Sequence, residues 1–159
     1  MSRRSVKTRS LCLSAIIAAL YAALTLCLPV LSYGALQCRL SEALTLLPLV
    51  LPQAVPGLAV GCLVSNLLSP VGVWDVLFGT LATLLAGMGT YRLREHPLLA
   101  AACPVVCNGL IVGVMLSVVY QLPAVLTVAE VAAGEVIAVA LGYMLLKALK
   151  GKVDWSKLS

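Results

Sequence analysis

In the stretch CRLSEALTLLPLVLP, residues 38–52, an arginine and a glutamate stand three positions apart at the head of a long apolar run. Arg39 and Glu42 have company: Asn66, Trp74, Asp75, Asn108, Glu130 and Glu135 also interrupt otherwise apolar sequence. A carboxylate can accept two neighbouring N–H donors or neutralise an ammonium group. An asparagine amide both donates and accepts, which suits the edge of a flat heterocycle. Trp74, beside Asp75, offers either a stacking wall or an interface anchor. This is the chemistry of binding. Combinations needed for catalysis are missing: the one histidine, His96, sits in a turn before Pro97, away from these acids. The six cysteines show no paired metal spacing, and neither G-x-S-x-G nor G-x-x-x-x-G-K-[ST] occurs. We therefore expect no catalytic residue, no metal, no cofactor and no ATP hydrolysis by this chain alone.

The elements that must position these residues are membrane helices. Hydrophobic residues make up 62% and charged residues 11%, with a mean hydropathy of +1.07. A soluble domain carries about 25% charge. Runs of ~20 apolar residues cross ~30 Å of hydrocarbon as a helix. The pattern predicts an all-α integral membrane protein, one transmembrane domain with a six-helix bundle. The predicted spans are 11–31, 40–51 (starting as early as Ala35), 55–68, 74–91, 98–120 and 124–147. Turn chemistry separates them at PQAVPG, SPVG, REHP and YQLP. The run 11–31 exceeds the ~7–15 residues of a signal peptide's apolar region, so the small residues at 32–34 are not read as a cleavage site. Spans 40–51 and 55–68 are short. They are either helices buried among the others or a re-entrant hairpin turning at the prolines.

Charge placement sets an orientation. Arg3, Arg4, Lys7 and Arg9 precede the first span, Lys147, Lys150, Lys152 and Lys157 follow the last, and Arg92 and Arg94 lie in the loop before Pro97. Basic loops stay inside, so both termini are expected in the cytoplasm of a multi-pass protein of the bacterial cell membrane. Such flanks explain the net charge of +5 without nucleic acid. Glu42, Asp75, Glu130 and Glu135 then fall in the outer half, against one arginine. Ionised groups at mid-membrane cost at least ~2.5–3.5 kcal/mol, so each needs a partner or a water-filled cavity. Arg39 and Glu42 would share a helix face and could pair with each other. Glu130 and Glu135 are about 140° apart around a helix, so one of them faces the bundle, and depth favours Glu135.

Small residues recur at helical spacing. Ala15, Ala19 and Ala23 form one stripe on the first span, with Ala18 and Ala22 beside it. Gly57 with Gly61, and Gly109 with Gly113, are GxxxG pairs suited to close helix packing. The alanine face is long enough to be a docking surface as well as a packing one. The echo of GLAVG in GLIVG fits a shared packing motif rather than an inverted repeat.

With these residues in view, the chain resembles the queuosine-precursor transporter (QueT) family, substrate-binding S components of energy-coupling factor (ECF) transporters. The resemblance lies in residues 38–87, with R-x-S-E-A-L at Arg39 to Leu44 and D-x-x-F-G at Asp75 to Gly79. It continues in CPVVCNGLIVG and VAAGEVIAVALG, covering nearly the whole chain. The resemblance implies a six-helix fold that captures its ligand from outside. It implies a membrane coupling subunit and two ATPases as partners, docked on an A-x-x-x-A motif matched here by Ala15, Ala19 and Ala23 or by Ala18 and Ala22. It implies a 7-deazaguanine ligand, such as queuine or a precursor with an aminomethyl group. Arg39, Glu42, Asn66, Trp74, Asp75, Asn108 and Glu135 are the candidate substrate-binding residues. An S component for a different vitamin, or a structural membrane protein whose acids pair internally, remain the other readings of the residues.

Overall fold

The computed structural model describes residues 3–32, 39–155 and 158, and among these it is helical with no strand. Residues 33–38, with Ala35 and the small residues that follow Ser32, lie outside the described residues. Helix α1, Arg3–Cys27, contains neither glycine nor proline, and it breaks just before Pro29 opens the single turn α2, Pro29–Ser32. After Arg39 comes η1, Leu40–Leu49, a 3-10 helix carrying Pro48. Then follow α3 (Ala54–Asn66), a π-helical turn (Asp75–Gly79) continued by α4 (Thr80–Arg92), α5 (Pro97–Tyr120) and α6 (Ala124–Leu149). The order is that of an all-α membrane bundle of six helices. Pro97 occupies the first turn of α5, where its missing N–H costs nothing.

Among the described residues, three helices are long and apolar enough to cross a membrane: Lys7–Cys27, Pro97–Tyr120 and Ala124–Leu149. The short second and third spans are resolved as separate buried-face helices. Ten residues of 3-10 helix rise about 20 Å, less than the hydrocarbon thickness. That shortness is tolerable because η1 lies inside the bundle. It packs on α1, α3, α4, α5 and α6, while α1–α3–α4–α5–α6 follow one another around it. Backbone departing from α-geometry survives at membrane depth when protein surrounds it.

The bundle is held by close helix approach. A Cβ added at Gly61 would stand 2.7 Å from the Ala18 carbonyl oxygen on α1, and one at Gly113 would stand 2.7 Å from Val128 Cα on α6. Both glycine pairs are therefore used within the chain. One apolar cluster, including Ile17, Leu44, Leu58 and Cys62, joins α1, η1 and α3; another, including Ala82, Val112, Leu116 and Val131, joins α4, α5 and α6. The outward faces are also apolar, with Leu11, Leu98 and Val125 largely exposed, as suits contact with lipid.

Candidate functional site

Glu42 lies in the first turn of η1 and is 1% exposed. Three other helices reach it. The Tyr21 hydroxyl of α1 donates to Oε1, and Thr83 Oγ1 of α4 donates to the same oxygen at 3.5 Å. Asn108 Nδ2 of α5 donates to Oε2 at 3.4 Å. A carboxylate buried in protein needs such donors, because each lost water interaction must be replaced. Tyr21 is held in turn: Thr25, one turn along α1, donates to Ser41 Oγ at 2.7 Å and fixes α1 against the start of η1.

Arg39 forms a second centre. Its backbone, at φ −79° and ψ 108°, is extended, so its side chain leaves the helix line instead of stacking over Glu42. The guanidinium donates from Nη2 to Asp75 Oδ2 at 2.7 Å, from Nη1 to Asn66 Oδ1 at 3.2 Å and from Nε to the Ser32 carbonyl at 3.3 Å. Pairing with Glu42, the arrangement an α-helical register would give, yields to this ion pair with Asp75. The π-helical turn bears Asp75 at its start and Gly79 at its end. A Cβ at Gly79 would fall 2.7 Å from Asn66 Nδ2 and 2.8 Å from Asp75 Oδ1. Glycine is what lets the two side chains close on the arginine. Asn66 Nδ2 completes the tie by donating to the Asp75 carbonyl at 2.9 Å.

Glu135, on α6, is 4% exposed, and its Oε2 is buried without a hydrogen-bond partner. Together with Arg39, Glu42, Asn108, Val112 and Val131 it lines a small cavity of 10 Å³. That is room for about one water. Asp75 Oδ1 is also buried and unpartnered. Among the described residues the interior thus holds three buried carboxylates, Glu42, Asp75 and Glu135, and one buried guanidinium.

Six of the candidates from the sequence, Arg39, Glu42, Asn66, Asp75, Asn108 and Glu135, meet in this one region. Glu130, less deeply placed on α6, is half-buried and outside it. Trp74 lies apart: 54% exposed, it stacks on Phe78 with ring centroids 6.0 Å apart. The two alanine stripes separate. Ala15, Ala19 and Ala23 are exposed, Ala22 is half-buried, and Ala18 is buried against α3. Sequence reasoning missed Tyr21, Thr83 and Ser41. The available signal was their polarity within apolar spans, which hydroxyls give weakly because they bond to their own helix backbone, as Ser65 does to the Gly61 carbonyl at 2.9 Å. Among the described residues no grouping of His, Cys, Asp and Glu suits a metal ion.

Comparison with known proteins gives a consistent picture. The family model described as "QueT transporter" matches residues 11–151. A queuosine precursor transporter of Lactococcus lactis subsp. cremoris (strain MG1363) is 40% identical over 81 residues, covering 50% of this chain and 47% of that protein. The match thus spans about half the length of each. No solved structure matches the chain.

Proposed function

This chain belongs to the QueT transporter family, a family of transporters and not of enzymes, and from that premise we propose that it is the substrate-binding S component of an ECF importer, capturing a queuosine precursor of 7-deazaguanine type. The observation that carries the reading is the unequal charge inside the bundle. Arg39 is already engaged by Asp75 at 2.7 Å, whereas Glu42 and Glu135 face a shared cavity. A site with surplus acceptors fits a ligand rich in N–H donors.

A guanine-type edge has neighbouring N–H donors at N1 and N2, which one carboxylate accepts as a pair. Glu42 takes that part, oriented by Tyr21 and Thr83. The Asn108 amide, bonded to Glu42 Oε2, is placed to donate to O6. Arg39, held by Asn66 and Asp75, shapes the wall beside it. A bicyclic ring does not fit in 10 Å³, so Val112 and Val131 part as it enters.

The single domain sits with both basic termini in the cytoplasm and the Arg39 end outward. Ala15, Ala19 and Ala23, exposed along α1, form the surface that docks on a coupling membrane subunit, which joins two ATPases. Energy then comes from those partners. Uptake of a labelled deazaguanine into cells carrying this chain and the ATPase module tests the proposal. Accumulation that requires both is the expected result; accumulation independent of this chain would overturn it.

A further inference from the structure

A row of buried side chains runs between Arg39 and Glu42. Arg39 Nη1 stands 3.2 Å from Asn66 Oδ1, and Asn66 Nδ2 stands 3.2 Å from Cys62 Sγ. Cys62 Sγ is 3.3 Å from Thr83 Oγ1, which in turn is 3.5 Å from Glu42 Oε1. Cys62 and Asn66 lie one turn apart on α3, and Thr83 meets them from α4. Each member of the row is at most 5% exposed, so its polar hydrogens need partners within the protein.

Proton counting gives the row a direction. A guanidinium only donates, so the Asn66 atom that faces Arg39 is the carbonyl oxygen, and the amide nitrogen must donate onward. That nitrogen has two hydrogens: one goes to the Asp75 carbonyl at 2.9 Å, the other to Cys62 Sγ. Thr83 has one hydroxyl hydrogen and two partners, the sulfur and Glu42 Oε1. A carboxylate has no hydrogen to give, whereas a thiol has one. Both contacts are satisfied when the Cys62 S–H donates to Thr83 Oγ1 and the Thr83 O–H donates to Glu42. The opposite order, with the hydroxyl turned to the sulfur, takes Thr83 away from Oε1 and sends the thiol hydrogen elsewhere.

We propose that Cys62 and Thr83 are positioning residues, which carry a one-way chain of hydrogen bonds from the Arg39 guanidinium to the Glu42 carboxylate and so hold Glu42 as an acceptor towards the ligand. Hydrogen bonds in series polarise one another, and here they run from a group that only donates to one that only accepts. Asn66, a candidate ligand contact by sequence, becomes a link in this chain, since its oxygen and its nitrogen both have protein partners. The Arg39–Asp75 ion pair and the central acid thereby act as one unit. The inference rests on the reading of Glu42 as the ligand's anchor and adds what holds that anchor ready.

Infrared difference spectra of the purified full chain in detergent, with Cys62→Ser as the blank, isolate the Cys62 S–H stretch. The band should lie at the lowered frequency of a donating thiol, rise towards the free-thiol position in Thr83→Val and return in Thr83→Ser. Titration with queuine and with 7-cyano-7-deazaguanine reads the effect on the ligand. Thr83→Val should bind ~2–10-fold more weakly than the wild type, the range of one ordinary hydrogen bond, and Thr83→Ser should regain most of that loss. A band that Thr83→Val leaves in place overturns the chain, since the thiol then donates elsewhere. A band that moves while affinity does not overturns the positioning role. Equal loss of affinity in Thr83→Val and Thr83→Ser overturns it too, because shape alone then explains the position. If neither compound binds the folded wild type, the deazaguanine reading fails by itself and the band still decides the chain. If Thr83→Val does not purify folded, the wild-type band decides, and a free-thiol frequency overturns the proposal.

Discussion

Tyr21 and Glu42 lie 21 positions apart on different helices, yet the phenol of one donates to the carboxylate of the other, both side chains at most 1% exposed. The bond links the helix that carries the exposed alanine stripe to the helix that carries the central acid. Tyr21 also packs in the apolar cluster with Leu58 and Cys62, so its ring is held while its hydroxyl points at Glu42. Packing and polarity here serve the same end, a carboxylate fixed in one orientation.

Tyr21→Phe should keep that packing and remove the donor. A hydrogen bond to a charged group contributes about 1.5–3 kcal/mol, so the variant should lose stability of that order. Its ligand affinity should fall too, because Glu42 Oε1 is left to a 3.5 Å bond from Thr83. Thermal unfolding in detergent and ligand titration check the two effects. Unchanged affinity would show that Tyr21 has no part in placing the acid.

The Arg39–Asp75 pair is buried at 2.7 Å, with side chains 6% and 1% exposed. Removing one member of such a pair costs about 3–5 kcal/mol, because the other is left charged and alone. Asp75→Asn and Arg39→Gln should each destabilise the chain by this amount, and together by much less than the sum. A double-mutant cycle on unfolding measures the coupling. Additive losses would mean that Asn66 and the Ser32 carbonyl hold Arg39 without Asp75.

Neighbouring alanines on α1 should behave in opposite ways. Leucine at Ala18, a buried position 9% exposed and opposite Gly61, should overpack the α1–α3 contact at a cost of about 1–3 kcal/mol. Leucine at exposed Ala19 should leave folding and ligand binding intact and abolish co-purification with the ATPase module. Unfolding midpoints and a pull-down of the assembled transporter separate the two. An Ala19→Leu chain that still co-purifies would move the docking surface elsewhere.

Much of this architecture is legible from composition and spacing, because lipid leaves few alternatives. A charged residue in an apolar run must be explained, and that pressure is why Arg39, Glu42, Asp75 and Glu135 stand out before any coordinates. Their partners are harder to read. An α-helical register pairs Arg39 with Glu42; the extended backbone at Arg39 gives it to Asp75 instead. Apolar periodicity does not separate a 3-10 helix from an α-helix over ten residues, so the form of η1 was hidden. The π turn at Asp75 was hidden for the same reason, although Gly79 at its end left a trace. Tyr21 and Thr83 look like ordinary members of their spans until η1 is placed between them. Trp74 shows the converse: beside an acid in sequence, it turns outward to Phe78.

The central claim is that Glu42 anchors a deazaguanine. Its most direct test is thermal stabilisation of the purified chain, wild type and Glu42→Gln, by queuine and its aminomethyl and cyano precursors, with guanine for comparison. A ligand at 100 times its dissociation constant adds about 2.7 kcal/mol to folding stability. The account expects a clear rise in the wild-type midpoint with at least one deazaguanine and none in Glu42→Gln. The same rise in both proteins, or none in a folded wild-type sample, would contradict it.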